Sequence, residues 1–193
     1  MRDAPDTKGL TALDLPPVDP LPEDIARYYE VCEEKLGMIP NVLAAYAFEP
    51  DRLRGFSQMY NALMLGESEL TKAEREMIAV VVSSLNHCHY CLVAHGAALR
   101  QLTGDPALAE TIAANYRHAD ISARQRAMLD FAVKITRASS EIEEADRQTL
   151  RDAGFSDRGV WDVAEVAAFF NMSNRMSSAV AMKPNAEYHG MAR

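Results

Sequence analysis

Glu76 to His95, EMIAVVVSSLNHCHYCLVAH, holds two of the three cysteines, three of the five histidines and an acid embedded in an apolar run. Two thiols spaced C-x-x-C can be oxidised together or bind a metal. An imidazole four residues beyond the second thiol can take its proton, and a carboxylate can orient and charge that imidazole. Counted from a helix opening at Cys88 at roughly 100° per residue, Cys91 lies about 60° and His95 about 20° behind it. All three share one face. Leu92, Leu99 and Leu102 fall within about 40° of the same direction, so the face is expected to look into a core. A cysteine at a helix start also meets unsatisfied N–H groups and the positive dipole end, which favour thiolate.

Glu76 enters this arrangement only if the chain folds back. On one straight helix it would stand about 18 Å from Cys88, too far for any proton relay. Asn86 and His87 are suitable turn residues. A hairpin pivoting there puts Glu76 and His95 about 16 and 12 Å from the bend. The glutamate then meets the histidine first, with Cys91 one turn nearer the bend.

The elements that must position these residues read as helices throughout. Thr71-x-x-Glu74 is a capping box opening a helix to about Asn86, and the cysteine helix runs from Cys88 to about Leu102, stopping at Gly104. Upstream, Glu23–Leu36 carries Ile25, Tyr28 or Tyr29, Cys32 and Leu36 at helical spacing, with Cys32 read as inert core filler ahead of the alternative, a redox partner. A short helix near Val42–Phe48 and a longer one from Asp51 to Leu65, with Leu53, Phe56, Met59, Tyr60 and Leu63 on one side, are packing elements. Downstream, helices are expected over Pro106–Tyr116, from Ser122 to about Ala138, over Glu141–Ala153 capped by Ser140, and over Asp157–Met182. No run of period-two alternation appears, so the fold class is all-α. Ser122-x-x-Gln125 opens its helix as Thr71-x-x-Glu74 does, and Arg75, Met77 and Ile78 recur 51 residues later as Arg126, Met128 and Leu129. An internal helical repeat and coincidence both account for this; in the second copy Ala127 stands at the place of Glu76. Pro5, Pro16, Pro17, Pro20 and Pro22 forbid a continuous helix over residues 1–22, which reads as an extended arm ahead of one domain over 23–193 whose core motif is 71–103.

Composition narrows the function classes. Of 193 residues, 48% are hydrophobic, ample for a core, and the net charge of −8 comes without any basic tract. This argues against nucleic acid and anionic membrane as partners. Apolar runs such as Ile78–Val82 fall far short of the ~20 residues that span a bilayer. MRDAPDTKGLTALDLPP has no apolar segment of secretory type, and a cytoplasmic location is expected. In a reducing compartment a C-x-x-C pair is metal-binding or redox-active.

The full pattern, E-x11-C-x-x-C-x3-H from Glu76 to His95, resembles the signature of the alkyl hydroperoxidase D family within the carboxymuconolactone decarboxylase-like superfamily. The resemblance extends from about Leu36 to the end, including DAGFSD and FNMSNR, and is nearest the peroxidase-related branch. It implies an AhpD-like helical bundle and a thiol peroxidase that needs no cofactor. In the family the second cysteine, here Cys91, attacks the peroxide and the first, here Cys88, resolves the sulfenic acid to a disulfide. The glutamate and the last histidine, here Glu76 and His95, form the relay that removes the thiol proton, usually through water. The implied substrate is a small hydroperoxide, with an unidentified thiol or protein reductant. One position departs: the best-known members carry histidine immediately before the second cysteine, and here it is Tyr90, a poor base near neutral pH. This weakens the implied peroxidase rate and leaves the redox chemistry. His89, turned by about 100°, does not replace the missing group and reads as a surface imidazole.

Other readings remain beside this one. The pair would serve equally as a reductant of a protein disulfide. Cys88, Cys91 and His95 with Glu76 are zinc-ligand types, though clustering on one helix face gives poor tetrahedral geometry. Leu92 stands where C-x-x-C-H needs histidine, which excludes a c-type haem. A decarboxylase-like protein would not need the two cysteines. Asp162, Glu165, Asn171, Asn174 and Arg175 read as capping, solvated-face or ion-pairing residues. Finally, Val160, Trp161, Val163, Val166, Phe169, Phe170 and Met172 exceed what one face of a helix can bury. A homo-oligomer is expected over residues 160–182, a dimer at least or a hexamer, in line with the family's dimers and trimers of dimers.

Overall fold

The computed structural model describes residues 3–193, and among these there is no strand. The first two residues of the expected arm lie outside the described residues. The rest of it has no helix but is not extended throughout, turning at residues 8–10 (Leu10 N–H to Thr7 O, 3.2 Å), and it is tied to the body by backbone bonds from Ala12 N–H to Val180 O (2.8 Å), from Lys183 N–H to Leu10 O (2.9 Å) and from Val18 N–H to Ala47 O (3.0 Å). Among the described residues ten α-helices follow: α1 Glu23–Leu36, α2 Asn41–Ala45, α3 Pro50–Leu65, α4 Lys72–Leu85, α5 His89–Thr103, α6 Pro106–Asn115, α7 Ala123–Ala138, α8 Glu144–Asp152, α9 Asp157–Ala179 and α10 Glu187–Gly190. No helix among the described residues is long and apolar enough to cross a membrane.

Helix α4 is the axis of the bundle. Its box is closed in both directions, Thr71 Oγ1 accepting from Glu74 N–H (3.2 Å) and Glu74 Oε2 accepting from Thr71 N–H (2.9 Å). Beyond the cap, Glu74 to Ser83 are all buried, because α5, α9, α7, α6 and α3 surround the helix. Side chains such as Ile78, Val80 and Val82, all fully buried, each contribute roughly 1.5–3 kcal/mol of transfer free energy. An all-round apolar helix is stable only in such a position. The second box, Ser122 with Gln125, opens α7 with the same cap dihedrals as the first, φ −63° and ψ 159°. The repeated arginines also do the same work, since Arg75 donates to the carbonyls of Leu63 and Leu70 and Arg126 to those of Tyr116 and Ala119.

Several expectations need correction. Residues 139–141 form a short 3-10 turn, and α8 begins later, under a box in which Glu143 and Asp146 exchange side-chain-to-backbone bonds, so Ser140 is not the cap. Helix α9 ends at Ala179; Ala181 turns left-handed (φ 50°) and Met182 N–H closes onto Ser177 O at 2.9 Å. Met59, Leu36 and Leu102 are exposed, the last two lying in the final turns of their helices. Five of the seven large residues expected to overfill α9 are buried within the subunit: Val160, Val163, Val166, Phe169 and Phe170. They find cover because α9 is flanked by α4, α7, α5, α3 and α8 at once. Only Trp161 and Met172, joined by Met176, stay exposed.

Candidate active site

The bend between α4 and α5 sets the site. Asn86 closes α4, His87 takes a left-handed conformation (φ 51°), and Cys88 N–H returns to Ser83 O at 3.0 Å. A polar ladder pins this bend to α9. Asn86 Nδ2 donates to Asn171 Oδ1 (3.1 Å) and Asn174 Oδ1 (3.0 Å), while Asn174 Nδ2 donates to Ser83 Oγ at 3.0 Å. Asn174 is fully buried, so its amide bonds are internal and costly to lose.

Cys88 is the N-cap of α5 and Cys91 lies in its first turn. Both are buried and both are free thiols. The Cys91 thiol donates to the Cys88 sulfur, and this bond is the main cause that brings the Cys88 pKa down to about 6, against the opposing effect of burial. The Cys91 backbone N–H, the Ser178 side chain and the nearby His95 charge add to the lowering. The same bond, then burial, then the neighbouring charge push the Cys91 thiol up, while Asn174 and Ser177 work against the rise. Ser177 Oγ stands 4.0 Å from Cys91 Sγ. Of the two thiols, Cys88 is the one whose ionisation the surroundings favour and Cys91 the one whose ionisation they oppose.

One turn further along α5, His95 Nδ1 lies 2.7 Å from Glu76 Oε2. Both side chains are nearly closed to solvent. A carboxylate accepting from Nδ1–H leaves the lone pair of a neutral imidazole on Nε2, away from Glu76. The ring is held edge-on against Phe170, with centroids 4.5 Å apart, and Tyr60 lies beyond it at 6.4 Å.

A cavity of about 330 Å³ opens beside these groups. Cys91 and His95 line it, whereas Cys88 and Glu76 stand behind them. Its wall is mainly apolar and aromatic, with Tyr28, Phe56, Tyr60, Phe169, Phe170 and Tyr188 among the contributors. Cys32, read from the sequence as core filler, is buried in the α1 stripe and also borders this cavity. Tyr90 does structural work: its hydroxyl oxygen accepts from Val42 N–H at 3.1 Å, tying α5 to α2. His87, His89, His118 and His189 are exposed. No group of three or more His, Cys, Asp or Glu among the described residues is disposed to hold a metal ion. Asp162 is buried by its partners, accepting from Ser68 Oγ (2.5 Å) and Arg158 Nε (2.7 Å) to anchor the loop before α4.

Sequence reasoning missed Tyr60, Phe170, Ser177, Ser178 and Tyr188, and placed Asn174 among residues without a part in the site. The FNMSNR stretch was the one available signal for Asn174. Tyr188 had none, because its arrival depends on the C-terminal segment turning back, where Arg100 clamps the carbonyls of Tyr188 (2.9 Å) and Met191 (3.0 Å).

Residues 50–114 match the model of the carboxymuconolactone decarboxylase family. An uncharacterised peroxidase-related protein from Silicibacter sp. TM1040 is 66% identical over 96% of this chain and 97% of its own, with a TM-score of 0.94. An uncharacterised peroxidase-related protein with an alkylhydroperoxidase AhpD core, from Ralstonia eutropha, is 46% identical over 95% and 97%, with a TM-score of 0.91. The debrominase Bmp8 shares the fold at 17% identity over 96% of each chain, with a TM-score of 0.76. No curated protein matches the chain.

Proposed function

The chain belongs to the carboxymuconolactone decarboxylase family, with an AhpD-like fold and close peroxidase-related relatives, and we propose that it is a thiol peroxidase reducing a small organic hydroperoxide. One observation carries the reading: Cys91 and His95 border the same largely apolar cavity, each backed by its chemical partner, Cys88 and Glu76. In this reading the proton of the Cys91 thiol passes to Cys88, or to Nε2 of His95, and the charge comes to the sulfur that faces the cavity. Cys91 thiolate attacks the terminal peroxide oxygen, the O–O bond breaks, and the alkoxide takes a proton to leave as an alcohol. Cys88 then attacks the Cys91 sulfenic acid, expelling water and closing a disulfide. The balance is two thiols and ROOH to a disulfide, ROH and water. An external thiol or a protein reductant returns the pair to the dithiol.

Burial of both sulfurs favours a small substrate over a protein disulfide for the oxidising half-reaction. The i, i+3 spacing at a helix start gives Cα atoms about 5–6 Å apart, within the range a disulfide tolerates. Mass spectrometry of hydroperoxide-treated protein is expected to show the loss of two hydrogens confined to the peptide holding Cys88 and Cys91. A pair that stays reduced would sink the reading.

Assembly as a homodimer, or as a hexamer of three such pairs, belongs to the same reading. Trp161 and Met172 lie 11 residues apart on α9, about 20° apart in helical phase, and Met176 extends their stripe. Exposed large side chains in a row are uncommon on monomers. Sedimentation equilibrium at micromolar concentration should give at least twice the 21.4 kDa chain mass, and a clean monomer would remove this part of the proposal.

A further inference from the structure

Four tyrosines border the cavity, and three of them have their hydroxyls engaged. Tyr28 bonds Asn61, Tyr90 accepts from Val42 N–H, and Tyr188 bonds Tyr90. The Tyr60 hydroxyl makes no hydrogen bond among the described residues, and burial followed by the charge of Glu76 acts on it most strongly. No side-chain polar atom sealed from solvent lacks a partner among those residues, so this hydroxyl is within reach of solvent, and Tyr60 lines the cavity. Its ring is fixed in place, 6.2 Å from Phe169 and 6.4 Å from His95. Burial, followed by the nearby Glu76 charge, pushes its pKa well above the ordinary phenol value. It is therefore a neutral donor throughout the physiological range, on a ring beside the imidazole in the wall of the cavity.

We propose that Tyr60 is a catalytic residue whose hydroxyl donates a hydrogen bond to the oxygen that leaves when Cys91 attacks a hydroperoxide. The inference rests on the peroxidase reading above and adds a residue to it. As the S–O bond forms and the O–O bond breaks, the electron pair of the O–O bond moves onto the departing oxygen, which becomes an alkoxide. A fixed donor in a water-poor cavity stabilises that charge without reorganising. The phenol keeps its own proton at the end, and the proton that completes the alcohol comes from the imidazolium of His95 or from solvent. The contribution should therefore scale with the basicity of the leaving oxygen: large for an alkoxide, small for a carboxylate.

The test compares wild type with Tyr60→Phe, which keeps the ring packed and removes only the hydroxyl. Pre-reduced protein is mixed with tert-butyl hydroperoxide or with peracetic acid, and disulfide formation is followed in a single turnover. Iodoacetamide alkylation of the thiols serves as the structural control. The expected result is a loss on the order of 100-fold with the alkyl hydroperoxide, a much smaller loss with peracetic acid, and unchanged alkylation. Equal losses with both oxidants, slowed alkylation, or no loss at all would overturn the assignment. Ser173, also buried and also bordering the cavity, is the rival hydroxyl. If Ser173→Ala shows the leaving-group dependence and Tyr60→Phe does not, the donor is Ser173 and the assignment is wrong. Wild-type protein inert to both oxidants would fell the peroxidase reading itself, and this inference with it.

Discussion

Helices α4 and α7 begin alike and then part. Both open on a reciprocal capping box with identical cap dihedrals, and both use an arginine four residues after the cap to hold the carbonyls of the preceding loop. The next residue separates them, since α4 carries Glu76 and α7 carries Ala127. Glu76 is buried at the centre of the bundle, where an unpaired carboxylate would cost several kcal/mol. It is tolerated because the hairpin that follows α4 brings His95 to 2.7 Å. Helix α7 is followed instead by a 3-10 turn and α8, with no thiol or imidazole on either. A starting device can be copied without cost, whereas a buried charge is kept only where the chain supplies its partner.

The sharpest way to break this comparison is to make the two copies equal. Glu76→Gln leaves His95 without its carboxylate, and His95→Ala leaves the thiols without base or neighbouring charge. Alkylation of the pair at neutral pH is expected to slow about threefold in each, while His118→Ala and His189→Ala, both on the surface, should match wild type. The pH profile sharpens the result. With Cys88 held down to about 6, the wild-type rate should be level above neutrality and fall about tenfold per unit well below pH 6. Because the His95 charge is one cause of the lowering, its removal raises the Cys88 pKa, and the inflection should move to higher pH in His95→Ala. An unmoved inflection and equal rates in all variants would mean that the pairing has no influence on the thiols.

The same contrast explains what could be read before the structure. Features fixed by neighbours in sequence were legible: both boxes, the stop at Gly104, the cysteine helix start, and the Glu76–His95 approach, which followed from counting back from one bend. Features fixed by distant packing were not. Tyr60 looked like one more apolar-face residue of α3, and only the assembled fold puts it beside His95. The α9 residues were read as a surplus because their pattern gives no hint of how many helices surround them. Ser140 is an equally good cap by residue type, and the choice of Glu143 depends on Asp146 returning the bond.

The arginine clips allow a comparison of stability alone. Arg75 is buried and donates three bonds to two carbonyls, whereas Arg126 is half-buried and holds two. Arg75→Ala leaves the buried carbonyl of Leu70 and the part-buried one of Leu63 without this donor and should cost about 2.5 kcal/mol, against about 1.5 kcal/mol for Arg126→Ala. Urea unfolding followed by circular dichroism measures both. A larger loss at Arg126 would mean that the second copy, not the first, carries more of the frame.

The smallest expected effect concerns whether the two boxes are independent. Thr71→Ala and Ser122→Ala each remove one cap and should each cost about 1 kcal/mol. The boxes differ in what their third helical residue does next. Glu74, buried, turns its other oxygen to Arg124 Nη1 at 2.5 Å, so the first cap is bonded to the first turn of α7. Among the described residues, Gln125 returns only to Ser122. Combining Thr71→Ala with Arg124→Ala should therefore depart from additivity by about 0.5 kcal/mol, because both changes free the same carboxylate. Combining Ser122→Ala with Arg124→Ala should depart by less, since Arg124 shares no side-chain bond with Ser122 in the structure. Double-mutant cycles built from urea midpoints resolve a difference of this size only when the slopes agree, so equal slopes across the four proteins are part of the expected result. Additivity in the first cycle would show that the Glu74–Arg124 contact leaves the caps independent, and that the two copies meet through their apolar faces alone.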